Sequence, residues 1–349
     1  MSEKVGIIIL NWNKWEDTIE CLESVYRIDY PDYEVIVVDN DSKNNSVEKI
    51  KEYGEGKIKI ESKFFKYNHE NKPVKFFEIT KEETEKNSRI DEEFKNSSSN
   101  KKLTLIKNPE NLGFTGGNNV GIKFALKIGC RFILLLNNDV VIEPDILKKF
   151  LNNWEKLEKP GALSGVIYYY DFPYEIWFGG AKWNWWKMNF DVNENSIQKA
   201  IKTDYICGAC IFTEKEVLKK IGLFDERFFL LWEDTDWSYS ARKKVYNLYI
   251  LPEVKVFHKI GQTFGSHKTL LYQYYITRNH KLFLYKHFNL IHRFSTSNIV
   301  TFYVISYLII AKAGLTRRQI FKKEKIEVTN EEIKGKLYGL KDYFLKKFG

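Results

Sequence analysis

Three carboxylates, Glu233, Asp234 and Asp236, stand within four positions directly after Phe228-Phe229-Leu230-Leu231-Trp232. An apolar run of this size is driven inside. Adjacent carboxylates resist burial, because each ionised group loses hydration and repels its neighbours. Negative charge held there suits proton acceptance. It also suits the first turn of a helix whose body is residues 238–244, since carboxylates favour that position. The two readings are compatible, because a helix start at a cleft both places and tunes a carboxylate. Other polar residues end apolar runs in the same way: Asn11 and Asn13 after 5–10, Asp39 and Asp41 after 33–38, Asn137-Asn138-Asp139 after 131–136, and His258 after 254–257. Taken alone, Asp39 and Asp41 suit turns and helix caps and His258 suits a structural role. Turn chemistry does not explain why so many polar groups fall at strand ends.

The elements that position these residues follow from periodicity. Residues 5–10 and 33–38 are short, continuous apolar runs rich in β-branched side chains, the pattern of buried parallel strands. Helices are predicted after each, over about 17–26 and 46–52. Strands at 103–106 and 131–136 and helices at 120–128 and 143–157 continue the alternation. Strand–helix alternation predicts a right-handed, mainly parallel α/β sheet that binds ligands outside the carboxyl ends of its strands. Between 111 and 121, Gly113, Gly116 and Gly117 allow close backbone approach to a ligand, in a loop that matches neither the Walker lysine loop nor the dinucleotide fingerprint. Residues 59–100 read as a charged insertion, with an edge hairpin formed by 63–67 and 74–79. Further on, 166–170, 205–213 and 249–258 read as extended and 214–221 as a helix closed by Gly222. Residues 177–190 gather Trp177, Trp183, Trp185 and Trp186 in loop or irregular β structure, which suits sugar stacking and ordinary packing equally.

The chain has 349 residues and 44% hydrophobic composition, ample for a sizeable core. Its net charge of +9 suits a polyanionic partner: nucleic acid, anionic lipid or a phosphorylated substrate. Cys21, Cys130, Cys207 and Cys210 form no disulfide framework, and Cys207-x-x-Cys210 has no second pair for a zinc site. Buried thiols, no signal peptide and a reducing, cytoplasmic compartment are the expectation. The last third is basic and aromatic. A helix is predicted over 272–286. The apolar run 299–311, flanked by Arg293, Lys312, Arg317 and Arg318, reads as an interfacial or docked helix more readily than as a membrane span.

In this order the motifs resemble inverting family-2 glycosyltransferases of the A-type fold, particularly rhamnosyltransferase-like members that build cell-surface polysaccharides. The resembling pieces are Ile9-Leu10-Asn11-Trp12-Asn13, Val37-Val38-Asp39-Asn40-Asp41-Ser42, residues 111–121, Leu136-Asn137-Asn138-Asp139, Gly222-Leu223-Phe224-Asp225-Glu226 with Trp232-Glu233-Asp234-Thr235-Asp236, and His258. The resemblance implies a catalytic domain over 1–265, with the 59–100 insertion as its departure, and a membrane-proximal helical extension over 266–349. It implies a single Rossmann-like, mixed but mainly parallel sheet flanked by helices. The nucleotide would lie along Asn11, Asn13, Asp39, Asp41, Asn111, Gly113, Gly117, Asn118 and Asn138. Asp139 and His258 would hold Mg2+ or Mn2+. The family's Asp-x-Asp is here Asn137-Asn138-Asp139, one carboxylate short. Asp234 would be the base that activates an acceptor hydroxyl, with Glu233 and Asp236 supporting it or binding the acceptor. The implied partners are a UDP- or dTDP-type sugar donor and a glycan or lipid-linked acceptor, at the anionic inner face of the cell membrane.

Two other function classes compete. A nucleotidyltransferase shares nucleotide-edge chemistry, but no basic glycine-rich loop follows the first strand. A non-catalytic basic module for polysaccharide or nucleic acid is permitted by charge, but the 233–236 carboxylates would repel a phosphate backbone, which argues against a nucleic-acid partner.

Overall fold

The computed structural model describes residues 3–86, 94, 97–98, 101–185, 189–260, 269–288 and 330–348. The chain divides into two compact units, residues 1–225 with 234–260, and residues 226–233 with 261–349.

The first unit is built on a mixed sheet of eleven strands among the described residues. Its parallel heart comprises β1 (Val5–Asn11), β2 (Tyr33–Asp39), β3 (Lys75–Thr80), β4 (Lys102–Lys107) and β5 (Phe132–Asn137), in the order β5-β1-β2-β4-β3. Strands β1 and β2 are buried along nearly their whole length, as their unbroken apolar runs predict. The order runs from β1 through β2 to β4 and β3, then returns to β5 on the other side of β1. The carboxyl ends of β1 and β5 therefore flank the switch point where ligands bind in open α/β sheets. Past β5 the sheet turns mixed. Strands β6 (Val140–Ile142), β7 (Pro160–Tyr169), β8 (Ile176–Phe178), β11 (Ile201–Thr203), β12 (Cys210–Glu214) and β13 (Asn247–His258) follow, with β12 antiparallel to β5 and β13 parallel to β7. Strands β9 (Ala181–Asn184) and β10 (Asn189–Val192) form a separate antiparallel pair. The helices are α1 (Trp15–Val25), α2 (Ser46–Gly54), α3 (Lys81–Glu85), α4 (Gly113–Lys127), α5 (Ile146–Trp154), α6 (Lys215–Ile221) and α7 (Glu233–Lys243).

Three expectations need correction. The expected edge hairpin of 63–67 and 74–79 is not formed: residues 63–67 are irregular, and β3 joins the sheet edge parallel to β4. The aromatic Phe64 of the irregular piece is taken up by packing, stacked on Phe257 at 4.2 Å. Helix α4 starts at Gly113, so the glycines form its first turns instead of a loop. A Cβ on Gly121 would stand 2.6 Å from Ile8 Cγ2, and one on Gly117 would collide with the Leu10 side chain. These glycines let the helix lie close on β1. The strand predicted over 205–213 is confined to β12, because Tyr205 to Gly208 bends out to bond α7. The four cysteines are buried and free, as expected, and burial raises the Cys210 thiol to about 12.

The second unit contains α8 (Leu270–His287) and α9 (Asn330–Phe344), which pack together with Gly339 at the contact, where a Cβ would meet Tyr274 O at 2.6 Å. Residues 226–233 belong to it. Phe229, Leu231 and Trp232 all have left-handed φ, at 59°, 69° and 73°, each a cost of roughly 1–3 kcal/mol that surrounding structure must hold. Asn279 donates from Nδ2 to the carbonyls of Phe228, Leu230 and Leu231 at 2.7–2.8 Å, and Arg278 Nη2 donates to those of Arg227 and Phe228. Among the described residues no helix is long and apolar enough to cross a membrane. The apolar run 299–311 lies outside the described residues.

Candidate functional site

At the ends of β1 and β2, three short loops are tied together by side chains. Asp39 is almost fully buried, and its carboxylate accepts from Asn11 Nδ2 at 2.7 Å, Ser42 Oγ at 2.6 Å and the Ser42 amide at 3.0 Å. A carboxylate offers about four acceptor positions, so one remains on Oδ2 for a ligand N–H. Asn13 and Asp41 both take left-handed φ, 57° and 61°. Asn13 Oδ1 accepts from the Lys43 amide, while Asp41 pairs with Lys43 Nζ. Asn40, buried beside them, holds the loop that leads into α4. Its Nδ2 donates to Asn111 Oδ1 and Gly113 O, and its Oδ1 accepts from Asn108 Nδ2 and the Leu112 amide. Gly113 has φ 71°, a conformation that favours glycine. Asn118 is buried and donates to Phe114 O of its own helix, and Gly117 faces Leu10. Packing and helix bonding thus account for these two positions without a ligand.

The same network reaches β5. Thr18 Oγ1 donates to Asn11 Oδ1 at 2.7 Å and accepts from Asn138 Nδ2 at 3.0 Å. One residue on, Asp139 Oδ1 and His258 Nε2 stand 3.1 Å apart. Both residues are over nine-tenths buried, yet Asp139 Oδ1 and His258 Nδ1 lack a hydrogen-bond partner among the described residues. Strand pairing creates this meeting: β6, directly after Asp139, runs antiparallel to β13 with Val140 opposite His258. A carboxylate oxygen and an imidazole nitrogen that converge without a proper hydrogen bond fit two ligands of one divalent cation. Among the described residues no group of three or more His, Cys, Asp and Glu gathers to hold a metal. Oxygen ligands from a diphosphate and water would have to complete the shell. Next to His258, Lys259 is clamped by Asp17 at 2.7 Å and Glu20 at 2.6 Å. Burial opposes its charge, but the two carboxylates prevail and raise its pKa.

Asp234 lies in the first turn of α7, as do Glu233 and Asp236, and all three are buried. Its Oδ2 accepts from Tyr205 Oη at 2.7 Å and the Gly208 amide at 2.9 Å, and its Oδ1 from the Thr235 amide at 2.7 Å. Desolvation raises its pKa above the usual aspartate value, against the downward pull of these bonds. The Ala209 carbonyl, beside Gly208, accepts from the Asn137 amide at 3.1 Å. Asp234 is thereby joined, through Gly208 and Ala209, to the 137–139 stretch. A Cβ on Gly208 would lie 3.2 Å from the Phe114 ring of α4 and 3.3 Å from Asp234 Oδ2. Four elements thus meet around Gly208: the end of β5 and the starts of β12, α4 and α7.

The profile of Glycosyl transferase family 2 matches residues 6–73 and 84–222. The chain belongs to this family. The family match omits only 74–83 within the supposed insertion, which is β3 and the start of α3. A stretch of 160 residues is 26% identical to the dTDP-rhamnosyl transferase RfbF of Shigella flexneri, covering 46% of this chain and 53% of that one. The chain thus aligns with about half the length of this curated relative. Among solved structures it resembles the mannosyltransferase PcManGT of Pyrobaculum calidifontis in complex with GDP-Man and Mn2+, with TM-score 0.53, 13% identity, and coverage of 99% of this chain and 88% of that one. It also resembles TarS of S. aureus, with TM-score 0.50, 14% identity, and coverage of 83% and 41%. The fold is the glycosyltransferase A-type, a mixed, mostly parallel central sheet flanked by helices.

Four neighbours of the candidate site carry little signal in the sequence. Tyr205 opens an apolar stretch whose pattern predicts a core strand residue. Thr18 and Asn40 looked like ordinary helix and turn residues, and Lys259 follows His258 without a signal of its own. Asn40 alone had a local cue, standing between two strand-end aspartates.

Proposed function

We propose that this chain transfers a sugar from a nucleoside-diphosphate donor to a hydroxyl of a glycan or lipid-linked acceptor, with inversion at the anomeric carbon. The observation that carries the reading is the continuous bonded line from Asp39 through Asn11 and Thr18 to Asn138, with the Asp139–His258 pair and Asp234 placed around the same strand ends. Relatives named for dTDP-rhamnosyl transfer and for a GDP-Man and Mn2+ complex support a nucleotide-sugar donor and a divalent cation.

The open acceptor position on Asp39 receives a nucleobase N–H, and the Asn11, Asn13 and Asn111 loops line the nucleotide's path. Asp139 and His258 would hold the cation, Mg2+ or Mn2+, which when bound would neutralise charge on the diphosphate. The acceptor oxygen attacks the anomeric carbon from the face opposite the diphosphate. As that C–O bond forms, the bond to the phosphate oxygen breaks and its electron pair leaves on the nucleoside diphosphate. The hydroxyl proton passes to Asp234, whose raised proton affinity suits it to general-base work. Glu233 and Asp236 support the base or bind acceptor hydroxyls.

Incubation with UDP-, dTDP- and GDP-sugars and Mn2+ should release free nucleoside diphosphate from at least one. Failure of every donor both to be cleaved and to raise the melting temperature would overturn the reading. Pyrophosphate release would transfer the case to a nucleotidyltransferase.

A further inference from the structure

We propose that a cleft between the β9–β10 pair and the C-terminal half of α7 binds one pyranose ring of the glycan acceptor, a ring other than the one that reacts. Its role for an acceptor rests on the transferase reading; its capacity to bind a sugar does not. The cleft encloses about 260 Å³ and is lined by Trp183, Trp185, Asp204, Tyr239, Arg242 and Lys243. That is just under the roughly 300–1,000 Å³ of drug-sized ligand sites, which favours a single ring.

The lining carries both chemistries that a pyranose presents. The ring's C–H face needs an apolar aromatic surface, and its hydroxyls need fixed donors and acceptors. Trp183 and Trp185 stand nearly perpendicular, with centroids 6.0 Å apart, and the Trp185 side chain is 58% exposed. Asp204 is set between them and the helix: its Oδ2 accepts from the Trp183 amide at 3.0 Å and its Oδ1 from Arg242 Nη2 at 3.1 Å. This fixes the guanidinium and carboxylate in one place, offering donors and an acceptor together. Lys243, packed over Tyr239, adds a further cation.

The cleft also connects physically with Asp234. Trp183 meets Phe190 edge-on at 5.0 Å, and Phe190 stacks on Tyr205 at 5.0 Å, whose hydroxyl bonds Asp234. Arg242 follows Asp234 by eight positions on one helix, about 12 Å along its axis. A ring held there is therefore not the one whose hydroxyl faces Asp234.

Saturation-transfer NMR with a panel of methyl pyranosides, neutral and carboxylated, tests the site. The wild-type protein should transfer saturation to the ring protons of at least one glycoside. Trp185→Ala should weaken this about 2- to 10-fold, the worth of one aromatic contact, and Trp185→Tyr should restore most of it. Because Trp185 is exposed, neither change should alter the melting temperature or nucleotide-sugar cleavage. If no glycoside receives saturation, or if transfer survives Trp185→Ala unchanged, the cleft is not a sugar site. Loss of donor cleavage in the wild type would fault the transferase reading alone.

Discussion

Asp234 accepts three hydrogen bonds while buried, and the balance between burial and those bonds sets its behaviour with pH. Burial prevails, so its folded pKa is raised. A base must be ionised, so turnover should be full above that pKa and fall as pH drops through it, at a pH higher than an ordinary aspartate would give. Tyr205→Phe removes a bond that stabilises the carboxylate. The acid limb of the kcat–pH profile should then move to higher pH, a shift that a purely packing role for Tyr205 would not produce. Asp234→Asn should lower kcat by about 10²–10⁴ with little change in donor binding. If Asp236→Asn or Glu233→Gln did this instead, the base would be that neighbour. Asp139→Ala should cut transfer by about a hundredfold or more and abolish its Mn2+ response, because several kcal/mol of charge stabilisation disappear. Transfer at the wild-type rate in that variant would refute the metal assignment. Asp139 and Asp234 were legible as carboxylates at the ends of apolar runs. Tyr205 was not, since an aromatic residue in an apolar stretch looks the same whether it packs or donates.

At the scale of elements, Asn40 is the link between the end of β2 and the start of α4. Asn40→Ala strands four polar partners and should lower stability on the order of 1–3 kcal/mol in urea unfolding. Asn40→Asp should be no milder despite its near-identical shape, because it puts a carboxylate oxygen against Asn111 Oδ1 and Gly113 O. An Asp variant as stable as the wild type would show that the network is not holding the loop. Strands β1, β2 and β5 were legible because buried parallel strands need continuous β-branched and apolar runs, and those runs end where the chemistry begins. The start of α4 was hidden because glycine reads as loop, whereas here it serves close helix-to-strand contact at Ile8 and Leu10. The bend at 205–208 was hidden because its cause, Asp234, lies 26 or more residues away in sequence. Pairing of β3 parallel to β4 was equally non-local, and local pattern alone favoured a hairpin.

At the scale of the whole chain, a net charge of +9 and the surface of α9 lead us to predict attachment to an anionic membrane surface. On that helix and the turn after it, Leu337, Tyr338, Phe344 and Leu345 are each 47–64% exposed. They recur at spacings of one, six and one, so they fall along one side of the helix, with Lys341 between them. Large apolar side chains exposed beside Lys341, with Lys346 and Lys347 just past the helix, match a segment that lies in the headgroup region. Two forces would act: burial of Phe or Leu, worth about 1.5–3 kcal/mol each, and attraction of about 1 kcal/mol per Lys near anionic lipid. The second is screened by salt, since the Debye length falls from about 10 Å at 0.1 M to about 3 Å at 1 M. The full-length protein should therefore float with phosphatidylglycerol vesicles at low salt, less at high salt, and poorly with neutral phosphatidylcholine vesicles. Leu337→Glu combined with Phe344→Glu should weaken flotation at low salt, by inserting charge where the apolar contact forms. Nucleotide-sugar cleavage should be unchanged in that variant, which separates membrane attachment from loss of fold. A wild-type protein that stays at the bottom of the gradient at low salt would show that these exposed residues do not meet lipid.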